Sequence, residues 1–240
     1  MDVKNADIHP REIGLWWSSV QSADLHRPNL LRLLSIEERE RAERFRVQGA
    51  GQRFVAARAM LRLILGRLSG VEPNRLTFAY GDHGKPRLTS GLPHFSLTHS
   101  GDTIVVAAAA DELGVDVEER RQLANAARLA RRICTPSELE TLRSAPAKDF
   151  GTLLLGFWTA KEAVLKTLGT GISGGMQSVE VEVHSESPSM AARVRGETAD
   201  WTVLPVSLPV DAVCTVAARG TGWSLDVTEF AWRHSVRKPG

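Results

Sequence analysis

The strongest constraint on what this chain can fold into is an internal echo. DTIVVAAAAD at residues 102–111 matches DAVCTVAARG at 211–220 in pattern, and each stands at the same place in its half of the chain. Both halves run strand, helices, then several strands, and self-similarity of this kind marks a duplicated architecture. The pattern predicts an α+β fold of two similar pseudo-symmetric lobes, each a small, mainly antiparallel sheet packed with helices. The halves meet near residue 112, so residues 1–112 form an N-terminal lobe and 113–240 a C-terminal lobe. With 240 residues there is chain enough for two such units. A site at the junction of two lobes draws residues from both.

Local patterning fills in the elements. Leu15–Val20 reads as a first strand. Ser35 caps a helix beginning at Ile36, with Glu38 placed as in a capping box. Gln52–Ser69 has helical apolar spacing, Leu76–Tyr80 reads as a strand, and Gly81–Pro86 as a tight turn. Two apolar stretches then follow, joined by the polar turn Thr98–Asp102. Leu113–Glu119 alternates strictly, which makes it a strand. Leu123–Ile133 is a helical run, and Thr135-Pro136-Ser137-Glu138 opens another helix with a cap, a proline at the first position and a glutamate at the third. Phe150–Leu168 is a long helix that Gly169 and Gly171 end. Strands follow at 178–185, 200–208, 211–219 and 223–232.

Three clusters could carry chemistry. Asp116 and Glu118 project from one face of their strand. Side by side they repel, so they are either an exposed acidic strand end or oxygen ligands for a hard divalent cation such as Mg2+. Arg53, Arg58 and Arg62 fall together at helical spacing, as a solvated stripe or as a phosphate clamp. Glu162 and Lys166 lie one turn apart with Lys161 beside them, while Trp158, Ala163, Leu165 and Leu168 face a core. Taken alone, that arrangement also describes a salt-bridged helix surface. Of 30 basic side chains only six are lysines, and Lys85, Lys161 and Lys166 are three of them. In a chain that otherwise uses arginine, a lysine points to a need for a compact, proton-bearing charge.

Several classes drop out. The N-terminal residues have no apolar core of a signal peptide, and no run of about 18 apolar residues can span a bilayer, so a cytoplasmic protein without membrane partners is expected. Cys134 and Cys214 have neither CxxC nor Cys/His metal spacing and read as free thiols. A net charge of +2 and the lack of a recognised motif argue against nucleic acid as a partner.

GKP at 84–86, FSLTHSGD at 95–102, GVDVE at 114–118 and WTAKEAVLKTLGTGI at 158–172, in this order and at these separations, resemble the Sfp-type 4′-phosphopantetheinyl transferases. The resemblance runs from about Ser35 to Ser185, and WxxKEA places the chain with the members that carry tryptophan and alanine around the Lys-Glu pair. Its length is that of the two-lobed type, a monomer, and not of the half-sized trimeric type. The resemblance implies transfer of the phosphopantetheine arm of coenzyme A to a serine of an apo acyl or peptidyl carrier protein, with adenosine 3′,5′-bisphosphate released. It implies Mg2+, or Mn2+ in its place, held by Asp116, Glu118 and Glu162. Glu162 is then also the base, and Lys166 the group that steadies the leaving phosphate. Contacts to coenzyme A are implied for Gly84, Lys85, Pro86, Thr98, His99, Asp116, Lys161 and Lys166, with Arg53 and Arg41 on the 3′-phosphate. The N-terminal lobe would hold the phosphates and adenine, the C-terminal lobe the metal and catalytic residues. Carriers of fatty acid, polyketide or nonribosomal peptide synthesis fit equally. Two other readings use the same residues: a binding module for coenzyme A and carrier protein, and a Mg2+-dependent nucleotide phosphohydrolase.

Overall fold

The computed structural model describes residues 9–24, 27–171, 175–183 and 190–232. Ile172, His184, Ser185 and the tail from 233 to 240, parts of the sequence-based reading, lie outside them.

The N-terminal lobe begins with β1 (Glu12–Ser19), two short helices α1 (Val20–Asp24) and α2 (Arg27–Leu30), then α3 (Ile36–Glu43) and the long α4 (Ala50–Ser69). A hairpin of β2 (Phe78–Tyr80) and β3 (Pro86–Leu88) precedes β4 (His94–Ser100) and β5 (Thr103–Ala109). The C-terminal lobe repeats the order: β6 (Leu113–Glu119), α5 (Ala126–Ile133), α6 (Pro136–Ser144), the long α7 (Phe150–Leu168), then β7 (Val179–Val183), β8 (Met190–Val194), β9 (Trp201–Val206) and β10 (Ala212–Arg219). Both expected capping boxes form. The Ser35 amide donates to Glu38 Oε2 at 2.9 Å and the Thr135 amide to Glu138 Oε2 at 2.7 Å, each glutamate amide returning a bond to the cap hydroxyl. These bonds satisfy amides that a helix start would otherwise leave open, at about 1 kcal/mol per cap.

Strand alternation stacks four layers, helix, sheet, sheet, helix. In β5, Ile104, Val106 and Ala108 join a core under α4, while Val105, Ala107 and Ala109 face the other lobe. There they meet Leu113, Val115 and Val117 of β6 and Cys214, Val216 and Ala218 of β10. The opposite face of β6 and β10 packs on α7, whose Phe157, Ala160, Ala163 and Val164 are fully or almost fully buried. The two echoing segments are thus β5 and β10, each an inner strand of its sheet and each buried on both faces, which is why both are continuous apolar runs. With Ser224–Glu229 as β11, the sheets have the orders β11-β1-β5-β4 and β6-β10-β9-β8-β7, antiparallel wherever the paired strands of one lobe meet.

Residues 224–232, expected in the C-terminal lobe, complete the N-terminal one instead. Strand β11 (Ser224–Glu229) lies parallel to β1, from Glu12 opposite Ser224 to Trp17 opposite Glu229. Phe230 and Trp232 then enter the core under α4, with Trp232 Nε1 donating to Ser18 Oγ at 2.8 Å. The physical reason is the open edge of β1, whose unpaired amides and carbonyls need a partner. Smaller departures are local: α3 stops at Glu43 and α5 starts at Ala126, both shorter than their helical patterns, and β8 was not foreseen.

Candidate active site

The lobes are joined edge to edge by hydroxyls. On β4, Ser96, Thr98 and Ser100 point at β6: the Val115 amide donates to Ser96 Oγ at 3.1 Å, Thr98 Oγ1 donates to Asp116 Oδ1 at 2.9 Å, and Ser100 Oγ donates to Glu118 Oε2 at 2.9 Å. Beside this seam opens a pocket of about 930 Å³, walled by α3, α4 and the β2–β3 hairpin on one side and by α7 on the other. That volume suits a ligand of cofactor size.

Helix α7 can approach β6 closely because residue 114 is glycine, where a Cβ would collide with the backbone of Ala163 and Thr167. The approach brings Lys166 Nζ to 2.6 Å from Asp116 Oδ1 and 3.0 Å from the Val115 carbonyl. Asp116 and Glu162 are buried, and among the described residues Asp116 Oδ2 and Glu162 Oε1 have no hydrogen-bond partner. Burial pushes the Asp116 carboxyl up from its ordinary value; Lys166 and Thr98 oppose that, and Glu118 adds to it. Glu162 is raised as well, by burial first and then by the charge of Asp116, with Lys166 opposing. Neither an exposed acidic strand end nor a salt-bridged helix surface describes these groups. Lys166 bonds across to Asp116, and Glu162 faces the pocket.

The donor set fits a hard divalent cation. Two buried carboxylate oxygens without partners, and carboxylates that raise one another's proton affinity, are groups that a cation would relieve. Glu118 stands further out, 20% exposed and paired with Arg121 at 3.1 Å. Among the described residues, no three His, Cys, Asp or Glu side chains are gathered into a ready metal cage, so further oxygens must come from ligand or solvent.

Around the rest of the pocket the cations differ in how far they are committed. Gly84, at φ 81°, closes the hairpin turn, and its amide donates to the Gly81 carbonyl at 2.8 Å; Gly84, Lys85 and Pro86 all line the pocket. The Lys85 ammonium is engaged by Glu112 and by the carbonyls of Leu113 and Thr167 at 3.2 and 3.3 Å. It therefore ties the hairpin to the end of α7. Burial lowers its pKa and Glu112 works the other way. Thr98 and His99 line the pocket too; desolvation, then the charges of Arg53 and Lys166, push the His99 imidazole below its ordinary value. Arg53 is half-buried beside it, and Arg41 lies over the Phe54 ring at 5.1 Å, on the pocket wall.

Two expectations are corrected. Arg58 and Arg62 are not a free phosphate clamp with Arg53: their guanidinium Nε atoms donate to Glu38 at 2.6 and 2.8 Å, and both stack on Phe78. Lys161 does not reach the pocket. Its ammonium is 0% exposed, pairs with Glu138 at 2.7 Å, and donates to the carbonyls of Met176 and Val179. Glu162, the next residue along α7, is turned about 100° away from it, and Lys166, five residues on, about 140°, which is why the two lysines of the motif have different surroundings. Sequence reasoning read Glu38 and Glu138 only as caps; the cations that share them were not foreseen.

Comparison with known proteins gives the family. Residues 112–217 match the model of the 4′-phosphopantetheinyl transferase superfamily, and residues 17–111 that of a 4′-phosphopantetheinyl transferase N-terminal region. The chain is similar to the 4′-phosphopantetheinyl transferase HetI of Nostoc sp., 34% identical over 225 residues, which cover 91% of this chain and 92% of that one. It is 32% identical to a 4′-phosphopantetheinyl transferase of Bacillus pumilus over 187 residues, 76% of this chain and 78% of that one. Among solved structures, a holo-(acyl-carrier-protein) synthase from Bacillus anthracis in complex with CoA (3′,5′-ADP) overlays with a TM-score of 0.37 and 19% identity, over 46% of this chain and 96% of that one. Family models that match residues 17–217 and a relative 34% identical over nine-tenths of the chain make it a member of the Sfp-type 4′-phosphopantetheinyl transferase family.

Proposed function

We propose that this enzyme moves the 4′-phosphopantetheine arm of coenzyme A onto a serine hydroxyl of an apo acyl or peptidyl carrier protein, with Mg2+ at the Asp116, Glu118 and Glu162 carboxylates. The observation that carries the reading is the pair of buried, unpartnered carboxylate oxygens on Asp116 and Glu162, set beside Lys166 at the lobe seam. Relatives named 4′-phosphopantetheinyl transferases, matched along most of the chain, support the phosphopantetheinyl group as what is transferred.

The reaction forms a bond from the serine oxygen to the β-phosphorus of coenzyme A and breaks the bridging P–O bond. The serine proton leaves, and adenosine 3′,5′-bisphosphate carries away the bridging oxygen. Such a transfer asks mainly for positioning and charge stabilisation. Mg2+ at these carboxylates supplies neutralisation of the pyrophosphate charge. Glu162, raised by burial and by Asp116, is placed to accept the serine proton, directly or through water. Lys166 is held at the seam by Asp116 and meets charge that develops on the leaving phosphate. His99 and the Thr98 backbone face the phosphates, Gly84-Lys85-Pro86 the adenine, and Arg53 and Arg41 the 3′-phosphate.

The test is intact mass of an apo carrier protein after incubation with this enzyme, coenzyme A and Mg2+. A gain of one phosphopantetheine that needs the metal and is lost in Glu162→Ala is expected. Coenzyme A bound but no gain on any carrier class would leave the binding-module reading, and nucleotide cleaved without carrier the phosphohydrolase one.

A further inference from the structure

Under its long helix, each lobe contains a buried ion pair built on one plan. In the N-terminal lobe the capping-box glutamate of α3, Glu38, receives Arg62 Nε at 2.8 Å, and Arg62 Nη1 goes on to the carbonyls of Pro73 and Leu76, just ahead of β2. In the C-terminal lobe the capping-box glutamate of α6, Glu138, receives Lys161 Nζ at 2.7 Å, and Lys161 goes on to the carbonyls of Met176 and Val179, at the start of β7. Each carboxylate thus caps a short helix, fixes a cation of the long helix, and through it fixes the turn that feeds the next strand. Glu138 adds a third grip, accepting from the Val181 amide at 2.8 Å.

The copies have diverged in one respect. The N-terminal one sets two arginines against one carboxylate and lines the pocket, which leaves a surplus positive charge facing the ligand space. The C-terminal one balances one lysine against one glutamate and is sealed, with 0% and 1% of the side chains exposed. A sealed pair of this kind adds little to stability compared with an apolar pair, so its value lies in geometry. It acts on the helix that carries Glu162 and Lys166, at the residue next to Glu162.

We propose that Lys161 is a positioning residue for the transfer reaction. Anchored by Glu138 and by the start of β7, it sets the rotation of α7 and so places Glu162 and Lys166 against Asp116. It makes no contact with coenzyme A. This inference rests on the transfer reading above. The two are tested apart by measuring coenzyme A affinity and unfolding stability, neither of which needs turnover, beside the kinetics.

Lys161→Met, Glu138→Gln (which keeps the capping hydrogen bond) and the double variant are compared with the unchanged protein. For Lys161→Met, kcat at saturating carrier is expected to fall by about tenfold or more, as for a misplaced catalytic group. Affinity for coenzyme A should stay within about threefold. In the double variant no buried charge lacks its partner, so it should lose less in both stability and kcat than the two single losses combined. If Lys161→Met does not fold, the double variant is read against Glu138→Gln by the same measures. A large loss of coenzyme A affinity with kcat kept would make Lys161 a ligand contact and overturn the proposal. So would a destabilised but folded variant with unchanged kcat, which would leave the pair a structural filler. An unchanged protein that binds coenzyme A but transfers nothing overturns the transfer reading, and the positioning role for transfer falls with it, while a kcat loss confined to the variants of a working enzyme tests Lys161 alone.

Discussion

Gly114→Ala is the smallest change that should separate the fold of this enzyme from its chemistry. A Cβ at residue 114 would sit 2.7 Å from the Thr167 amide nitrogen and 2.9 Å from Lys166 Cβ, and nearer still to the carbonyl oxygen of Ala163. Ordinary contact begins near 3.4 Å. The atoms in the way are mostly backbone, which cannot swing aside as a side chain does, so α7 must back away from β6 by roughly 1 Å. Overpacking of this kind costs about 1–3 kcal/mol, which a two-lobed domain with this much core survives. The Lys166–Asp116 bond, 2.6 Å long and spanning the two elements that separate, does not survive it. A displacement of about 1 Å at a reacting centre costs on the order of 10²-fold in rate.

The assay is single-turnover transfer to a carrier protein, followed by intact mass, beside chemical denaturation of the same preparation. Gly151→Ala is the control: it lies on the same helix, its new Cβ meets nothing within 4 Å, and a helical glycine replaced by alanine gains about 0.5–1 kcal/mol. The expected pattern is a modestly weaker fold with a large rate loss for residue 114, and a slightly stronger fold with normal rate for residue 151. A Gly114→Ala protein that turns over normally would refute the claim that close helix–strand packing sets the site.

Three further outcomes follow from contacts already described. Lys166→Ala should lower kcat by about 10²–10³, the loss typical of one charge-stabilising group, with the KM for coenzyme A changing far less; a KM effect alone would reduce Lys166 to a binding residue. Arg53→Glu should raise the KM for coenzyme A by about tenfold and leave dephospho-coenzyme A untouched, and an equal effect on both would remove Arg53 from the 3′-phosphate. Burial raises the pKa of Glu38, but Arg58 and Arg62 together with the Ser35 amide outweigh it, so its carboxyl titrates below the ordinary range. Its contribution to stability is therefore complete above about pH 4.3 and lost as pH falls through the lowered value. Glu38→Gln should abolish that acid-dependent part and cost about 3–5 kcal/mol at neutral pH by stranding two buried guanidiniums; a denaturation profile with the same acid limb in both proteins would show that Glu38 is not its source.

How much of this was legible depended on whether the signal was local. The capping boxes at Ser35 and Thr135, the end of α7 at Gly169 and the alternation of β6 are written in adjacent residues, and all of them formed. The echo of 102–111 in 211–220 showed the two similar halves, because the equivalent strands β5 and β10 are both apolar on two faces. Partners across the chain were harder. Lys161 and Lys166 look alike in sequence, but the 100° step per residue sends one into a sealed core and the other to the seam. Asp116 and Glu118 share a strand face, while only Asp116 is buried and bonded to Lys166 of α7. Strand β11 carried no signal of its destination, since an alternating segment pairs with whichever edge is open.

The same atoms hold the lobes together and shape the site. The Thr98–Asp116 hydrogen bond belongs to the row of hydroxyls that joins β4 to β6, and it also fixes the carboxylate whose other oxygen is buried and, among the described residues, without a hydrogen-bond partner. Lys85 does the like at the far end, tying the hairpin that lines the pocket to the last turn of α7. A site built this way cannot be assembled by one lobe alone: the N-terminal lobe supplies the Thr98 hydroxyl, His99 and the hairpin, the C-terminal lobe the carboxylates and Lys166, and docking brings them into register. The short link from β5 to β6 already makes that docking intramolecular, and the parallel β11, returning from the second lobe into the first sheet, adds a second crossing. The hydroxyl–carboxylate bonds, individually worth only about 1–3 kcal/mol, then set the register of a seam that the apolar layer between the sheets holds closed.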